Sequence, residues 1–190
     1  MPKIFPVLLA LAAFGLSACE TAAVSGGAPA EAREAFDASG YRLASGDEVR
    51  LTVFGEPDLS GVFELDGQGQ LTLQLAGAVQ ADGLTPAELA DAVADALRQG
   101  YLKDPRVTAE VATYRPYYIL GEVEKPGEYA YQNGLTVLNA VATAEGFTYR
   151  ANEKAVFIRR DGETEERKFR LDNQTPVRPG DTIRVGERFL

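Results

Sequence analysis

The stretch YYILGEVEKPGEY, residues 117–129, decides how the rest of the chain is organised. Tyr117, Tyr118, Ile119 and Leu120 are aromatic or aliphatic and predict a strand. Gly121 permits either a close backbone approach or a bulge. Pro126-Gly127 is a turn pair, because proline presets φ and glycine accepts positive φ. Tyr129 and Tyr131 then alternate with Ala130, so the chain returns as a second strand. On these residues alone the segment is a hairpin.

Downstream, Thr136 caps a predicted helix carrying Val137, Leu138, Val141 and Ala142, with Gly146 at its end. Residues 155–160 predict a strand, Asp161-Gly162 a turn and residues 165–171 the return strand. Pro179-Gly180-Asp181 turns into a last strand over 182–185. Two strands, a helix, two strands and a final strand suit a sheet curled around one helix.

Upstream, Ser45-Gly46-Asp47 makes a turn, and Val49, Leu51 and Val53 alternate with Glu48, Arg50 and Thr52 as a strand with one buried face. Residues 55–60 loop out. Phe63 and Leu65 begin another strand, Asp66-Gly67-Gln68-Gly69 turns it, and Leu71, Leu73 and Leu75 return as its hairpin partner. Thr85 is the N-cap of the next helix, Pro86 fills its first position, and Glu88 completes a capping box. Leu89, Val93 and Leu97 form one apolar stripe, and Gly100 stops the helix. Asp104-Pro105 precedes an alternating strand through Val107, Ala109 and Val111. SGDEVRL and PGDTIRV share Gly-Asp, an apolar residue and Arg, which we read as one turn-into-strand device used twice.

These motifs carry a resemblance. GEV, two residues, then PGEY resembles the opening hairpin of the soluble-ligand-binding β-grasp (SLBB) domain. Gly46-Asp47 leading into a strand, the loop 55–60, the Leu84-to-Leu89 helix start and Asp104 to Val107 together resemble the polysaccharide-export domain. Leu73-Gln74-Leu75 stands where that family often has a proline between two apolar residues, which marks the local turn as different. The resemblance is to the outer-membrane polysaccharide export family. It implies an α+β fold: an export domain over 40–114, then an SLBB β-grasp domain over 115–190.

The N-terminus reads as an export signal. Lys3 is followed by a nearly wholly apolar run over 4–16, too short to span a bilayer. Leu16-Ser17-Ala18-Cys19 resembles the bacterial lipobox, which implies a signal peptide over 1–18 and a lipid on Cys19. Glu20 rather than Asp follows, which by the familiar sorting pattern points to the outer membrane. Residues 19–39 are small and polar and read as a tether. Only residues 186–190 follow the last predicted strand. Five residues rise about 7.5 Å as a helix against a core of ~30 Å, so a separate outer-membrane porin is expected.

Bulk composition narrows the chemistry. With 19 basic and 28 acidic residues the net charge is −9, which argues against nucleic acid as a partner. The charge is uneven: residues 150–190 carry 10 basic and 8 acidic side chains, and the remainder carries 9 and 20. There is no histidine, and Cys19 is the one cysteine, so the usual general base, a disulfide framework and a thiolate cluster are all missing. Glu56 with Asp58, and Asp47 with Glu48, sit in turns where acidic groups bond their own backbone. No enzyme, cofactor or metal is expected. Tyr114, Tyr117 and Tyr131, with Tyr118 and Tyr129, are candidates to stack on sugar rings, or else sheet core and subunit contacts.

The expected protein is a lipid-anchored periplasmic component of a capsular polysaccharide or exopolysaccharide conduit at the outer membrane. It would assemble as a homo-oligomeric ring with an inner-membrane co-polymerase or kinase-type partner. The alternative is a monomeric lipoprotein that binds a glycan or peptidoglycan fragment.

Overall fold

Residues 40–188 are described by a computed structural model of the chain. The signal segment, Cys19 and the tether lie outside them.

The alternation around residue 50 produces strand β1, Glu48–Val53. Val49, Leu51 and Val53 point inward and are buried. β1 is the middle of a three-stranded antiparallel sheet, between β2 (Gly61–Glu64) and β5 (Val107–Thr113). Val49 lies opposite Phe63 on one side and Val111 on the other, so the inward rows are continuous across the sheet.

The turn at residues 66–69 forms, but the expected hairpin does not. The strand that follows, β3 (Gln70–Leu73), pairs with β4 (Gly77–Gln80) instead of β2. Leu75 is therefore not a strand residue. It sits at the tip of the β3–β4 hairpin with φ of 68° and its side chain exposed. The Gly69 carbonyl accepts from the amides of Ala81 and Asp82, which ties the end of β4 back to the turn.

Helix α1 (Pro86–Arg98) begins as its sequence dictates. The Thr85 hydroxyl accepts from the Glu88 amide, and the Glu88 carboxylate accepts from the Thr85 amide at 2.8 Å. Leu89, Val93 and Leu97 are buried against β4 and β5. Each contributes about 1.5–3 kcal/mol by leaving water.

The second half gives strands β6 (Tyr117–Gly121) and β7 (Gly127–Tyr129), helix α2 (Val137–Thr143), then β8 (Ala151–Arg159), β9 (Arg167–Arg170) and β10 (Thr182–Glu187). They form one five-stranded sheet in the order β7-β6-β10-β8-β9, with β10 parallel to β6 and antiparallel to β8. This is the β-grasp arrangement, and the chain is α+β. The last strand enters the centre of the sheet, where Ile183 and Val185 meet Ile119, Val156 and Ile158 and, from α2, Val137, Ala140 and Val141.

Gly121 serves a close approach. Its φ is 85°, and a Cβ there would lie 2.0 Å from the Val185 carbonyl oxygen. The parallel pairing of β6 with β10 thus depends on a residue without a side chain at that point. Each half has its own core, and Tyr114 packs against both.

Candidate functional site

The two Gly-Asp turns singled out in the sequence adopt the same structure. Gly46 and Gly180 both have positive φ, at 86° and 81°. The Asp47 carboxylate accepts from the Ala44 amide at 2.9 Å, and the Asp181 carboxylate accepts from the Arg178 amide at 2.7 Å. In both cases the donor lies three residues back, and the strand starts immediately after. Both carboxylates are wholly buried, so each requires a cation. Arg115 answers Asp47, and Arg160 answers Asp181.

Arg115 lies between the two turns, at the start of the second half of the chain. A Cβ on Gly46 would sit 3.6 Å from its Cβ, and one on Gly180 only 2.8 Å from its Nε. Its backbone amide donates to Asp47 Oδ1 at 2.8 Å, and its guanidinium donates to Asp47 Oδ2 at 3.0 Å and to the Tyr41 hydroxyl at 2.6 Å. The same guanidinium reaches Asp161, in the β8–β9 turn, at 3.0 Å. One side chain therefore bonds carboxylates from both halves. The Tyr41 hydroxyl donates onward to Asp47 Oδ2 at 2.6 Å. Burial and that carboxylate hold its pKa well above the ordinary phenol value, so it stays a donor. Burial also lifts the Asp181 carboxyl, to about 6, against the pull of Arg160.

Tyrosine rings continue this junction. Tyr41 meets Tyr114 edge-on at 4.9 Å between centroids, and Tyr114 meets Tyr131 edge-on at 5.4 Å. Tyr117 stacks on Tyr129 at 5.9 Å. The three sugar-contact candidates are thus placed as follows. Tyr117 is 1% exposed and Tyr131 6% exposed, both within the second core. Tyr114 is half-buried between the two cores. Neither Tyr117 nor Tyr131 presents an open ring face to a ligand, because alternation along β6 turns Tyr117 inward. Cys19, the lipid-attachment residue, lies outside the described residues.

The same alternation turns Tyr118 and Leu120 outward, 40% and 43% exposed. Across the sheet Tyr118 faces Glu128 on β7 and Thr182 on β10, and Thr182 faces Arg159 on β8. One row along, Leu120 faces Arg184, Arg184 faces Phe157, and Phe157 faces Lys168. Arg184 lies over the Phe157 ring at 4.3 Å and is bound by Glu166 at 3.0 Å. This outward face is basic and partly aromatic. The outward face of the three-stranded sheet differs: it carries Glu48, Glu64 and Glu110 with Arg50 and an exposed Val62.

Sequence reading named Asp161 only as a turn residue and connected neither Arg115 nor Arg160 to the two buried acids. The repeated Gly-Asp pointed to the two acids. The cations that answer them have no local signature, since Arg115 is 68 residues from Asp47 and Arg160 is 21 from Asp181.

The comparisons with known proteins fall on the same division. Residues 36–112 match the family model described as polysaccharide biosynthesis/export protein, and residues 115–185 match the SLBB domain. The chain is also similar to the exopolysaccharide production protein ExoF of Rhizobium meliloti (strain 1021), at 35% identity over 59% of this chain. That match covers 31% of the relative, so the chain spans about a third of its length.

Proposed function

We propose that the chain, whose residues 36–112 match the polysaccharide biosynthesis/export family and residues 115–185 the SLBB domain, is a component of a polysaccharide export conduit. The observation that carries the proposal is the order of the two matched domains, joined through Arg115. We divide the chain into an export domain over 40–114 and an SLBB domain over 115–190.

In this reading Cys19 is the mature N-terminus and carries lipid, which holds the protein on the periplasmic face of the outer membrane. Copies of the chain associate head to tail, and a heterologous contact of that kind closes into a ring when its rotation divides the circle. The ring surrounds the path of a capsular polysaccharide or exopolysaccharide supplied by an inner-membrane partner. The protein's part is passage, with no bond made or broken. Its contribution to that task is rigidity: the buried Arg115–Asp47 pair holds the two domains in one orientation, so subunits present the same faces to their neighbours.

Two masses test this. Intact-mass analysis of membrane-extracted protein should find a chain that begins at Cys19 with acyl chains attached. Native mass in detergent or lipid should then give a multiple of the subunit. An uncleaved, unmodified chain would remove the anchor. A monomer at every accessible concentration, with and without the inner-membrane partner, would replace the conduit with a glycan-binding lipoprotein.

A further inference from the structure

The five-stranded sheet has one face covered by α2 and one face open. Tyr118 and Leu120 make an exposed apolar strip on the open face of β6. Arg159, Arg184, Lys168 and Arg170 lie beside it, with Glu128 and Glu166 as the acids of the same face. Arg184 is committed to Glu166 and to the Phe157 ring, and Arg159 donates to the Thr182 hydroxyl at 3.0 Å. Lys168 and Arg170 are exposed and have no carboxylate within salt-bridge distance among the described residues. With four cations and two acids the face is net positive, on a chain whose net charge is −9.

From these residues we propose that this open face binds an acidic glycan, a polysaccharide segment carrying carboxylate groups; the inference rests on the export reading. The Tyr118 ring and the Leu120 side chain offer an apolar surface to the C–H face of a sugar ring, and the tyrosine hydroxyl adds a polar tip. Lys168 and Arg170 meet the carboxylates. Three inter-strand spacings of about 4.8 Å separate β6 from β9. The strip and the free cations are thus about 14 Å apart, too far for a single sugar ring. The site therefore takes an oligosaccharide.

Charge complementarity selects this ligand. Residues 40–114 carry 12 acidic and 5 basic side chains and repel a polyanion. The one open sheet face with a positive balance is then where such a polymer is held. Exposed cations screened by water give weak, salt-sensitive binding. That suits passage, because a transported chain must leave as readily as it enters.

The test uses the full-length protein and defined probes: a galacturonic acid hexamer, a neutral maltohexaose and polyglutamate. The acidic hexamer should bind at least tenfold more tightly than the neutral one, and binding should weaken as salt is raised. Tyr118→Ala and the pair Lys168→Glu with Arg170→Glu should each weaken it roughly tenfold. Three results would overturn the site: no binding of the acidic hexamer, binding that the substitutions leave unchanged, or polyglutamate binding as tightly as the sugar acid. A change from oligomer to monomer on charge reversal, with no sugar binding by the parent, would assign the face to a second copy of the chain. Surface polymer in a deletion strain separates this inference from the one beneath it. If the Tyr118 and Lys168/Arg170 variants restore export as well as the parent, the glycan site falls and the conduit stands. If the parent restores nothing because nothing was lost, the conduit falls.

Discussion

Replacing Arg115 with methionine keeps the length and apolar stem of the side chain and removes its charge. Three guanidinium contacts disappear: to Asp47 at 3.0 Å, to the Tyr41 hydroxyl at 2.6 Å and to Asp161 at 3.0 Å. The contacts are not equal. Asp161 is about half exposed, so its pair contributes at most about 1 kcal/mol. Asp47 is wholly buried, and a buried carboxylate deprived of its cation costs about 3–5 kcal/mol. Asp47 keeps three donors, the amides of Ala44 and Arg115 and the Tyr41 hydroxyl, which places the loss towards the lower end, about 3–4 kcal/mol. At roughly 2–4 °C per kcal/mol for a chain of this size, Arg115→Met should lower Tm by roughly 6–16 °C. Urea unfolding gives the free energy, with Arg98→Ala as the control. Arg98 pairs with Asp95 on the exposed side of α1 and should cost under about 1 kcal/mol. Adding Asp47→Asn to Arg115→Met removes the stranded charge, so the double variant should be more stable than the sum of the singles predicts. A single variant within about 1 kcal/mol of the parent, or strict additivity, would refute the reasoning.

Other substitutions follow from single contacts. Gly121→Ala places a methyl 2.0 Å from the Val185 carbonyl at φ of 85° and should cost about 3 kcal/mol or more in urea unfolding. Gly83→Ala, with φ of 77° and open space around it, should cost only about 1–2 kcal/mol, and equal losses would show that the overlap at Gly121 is relieved cheaply. Thr85→Ala removes the hydroxyl half of the capping box and should cost about 1 kcal/mol; hydrogen exchange at the Glu88 amide should accelerate, and an unchanged rate would contradict the cap's role. For Asp181, burial lifts the folded pKa from 3.8 to about 6, so between those values the folded chain holds more protons than the unfolded one. Its contribution to stability falls as pH rises through that window, and the parent-minus-Asp181→Asn difference in unfolding free energy should decrease between pH 4 and pH 6.5. A difference that is flat or rises would show that Arg160 outweighs burial.

Elements set by neighbouring residues were legible in the sequence, and contacts between distant residues were not. The α1 cap needs only Thr85, Pro86 and Glu88, and it forms as read. The β6–β7 hairpin forms between the two expected runs, but its turn is not at Pro126-Gly127: Gly127 opens β7 opposite Ile119 without a positive φ, and residues 122–126 make the connection. The repeated Gly-Asp was legible as one turn-into-strand device used twice, because the turn itself supplies each acid's first donor, whereas the burial of both acids was not. The β2–β3 hairpin failed for a physical reason. A four-residue turn permits a hairpin without choosing the partner, and here the hydrogen bonds from Ala81 and Asp82 to Gly69 bring β4 to β3. Leu75 was misplaced with it, because an alternating Leu71, Leu73, Leu75 run does not reveal that the chain bends before its last member. Tyr117 and Tyr118 show the other limit. Two adjacent tyrosines in a strand face opposite sides, but which side is core depends on where α2 docks. Arg115 carried no signal, since a lone arginine between Tyr114 and Pro116 looks like solvated linker until Asp47 and Asp161 are brought to it.

The central claim, passage of a polysaccharide, is tested most directly by deleting the gene and measuring polymer outside and inside the cell. The account predicts that surface and released polymer fall sharply, that polymer or its lipid-linked precursor is retained inside, and that the full-length chain restores the parent distribution. Unchanged amount and location of surface polysaccharide in the deletion strain would contradict it.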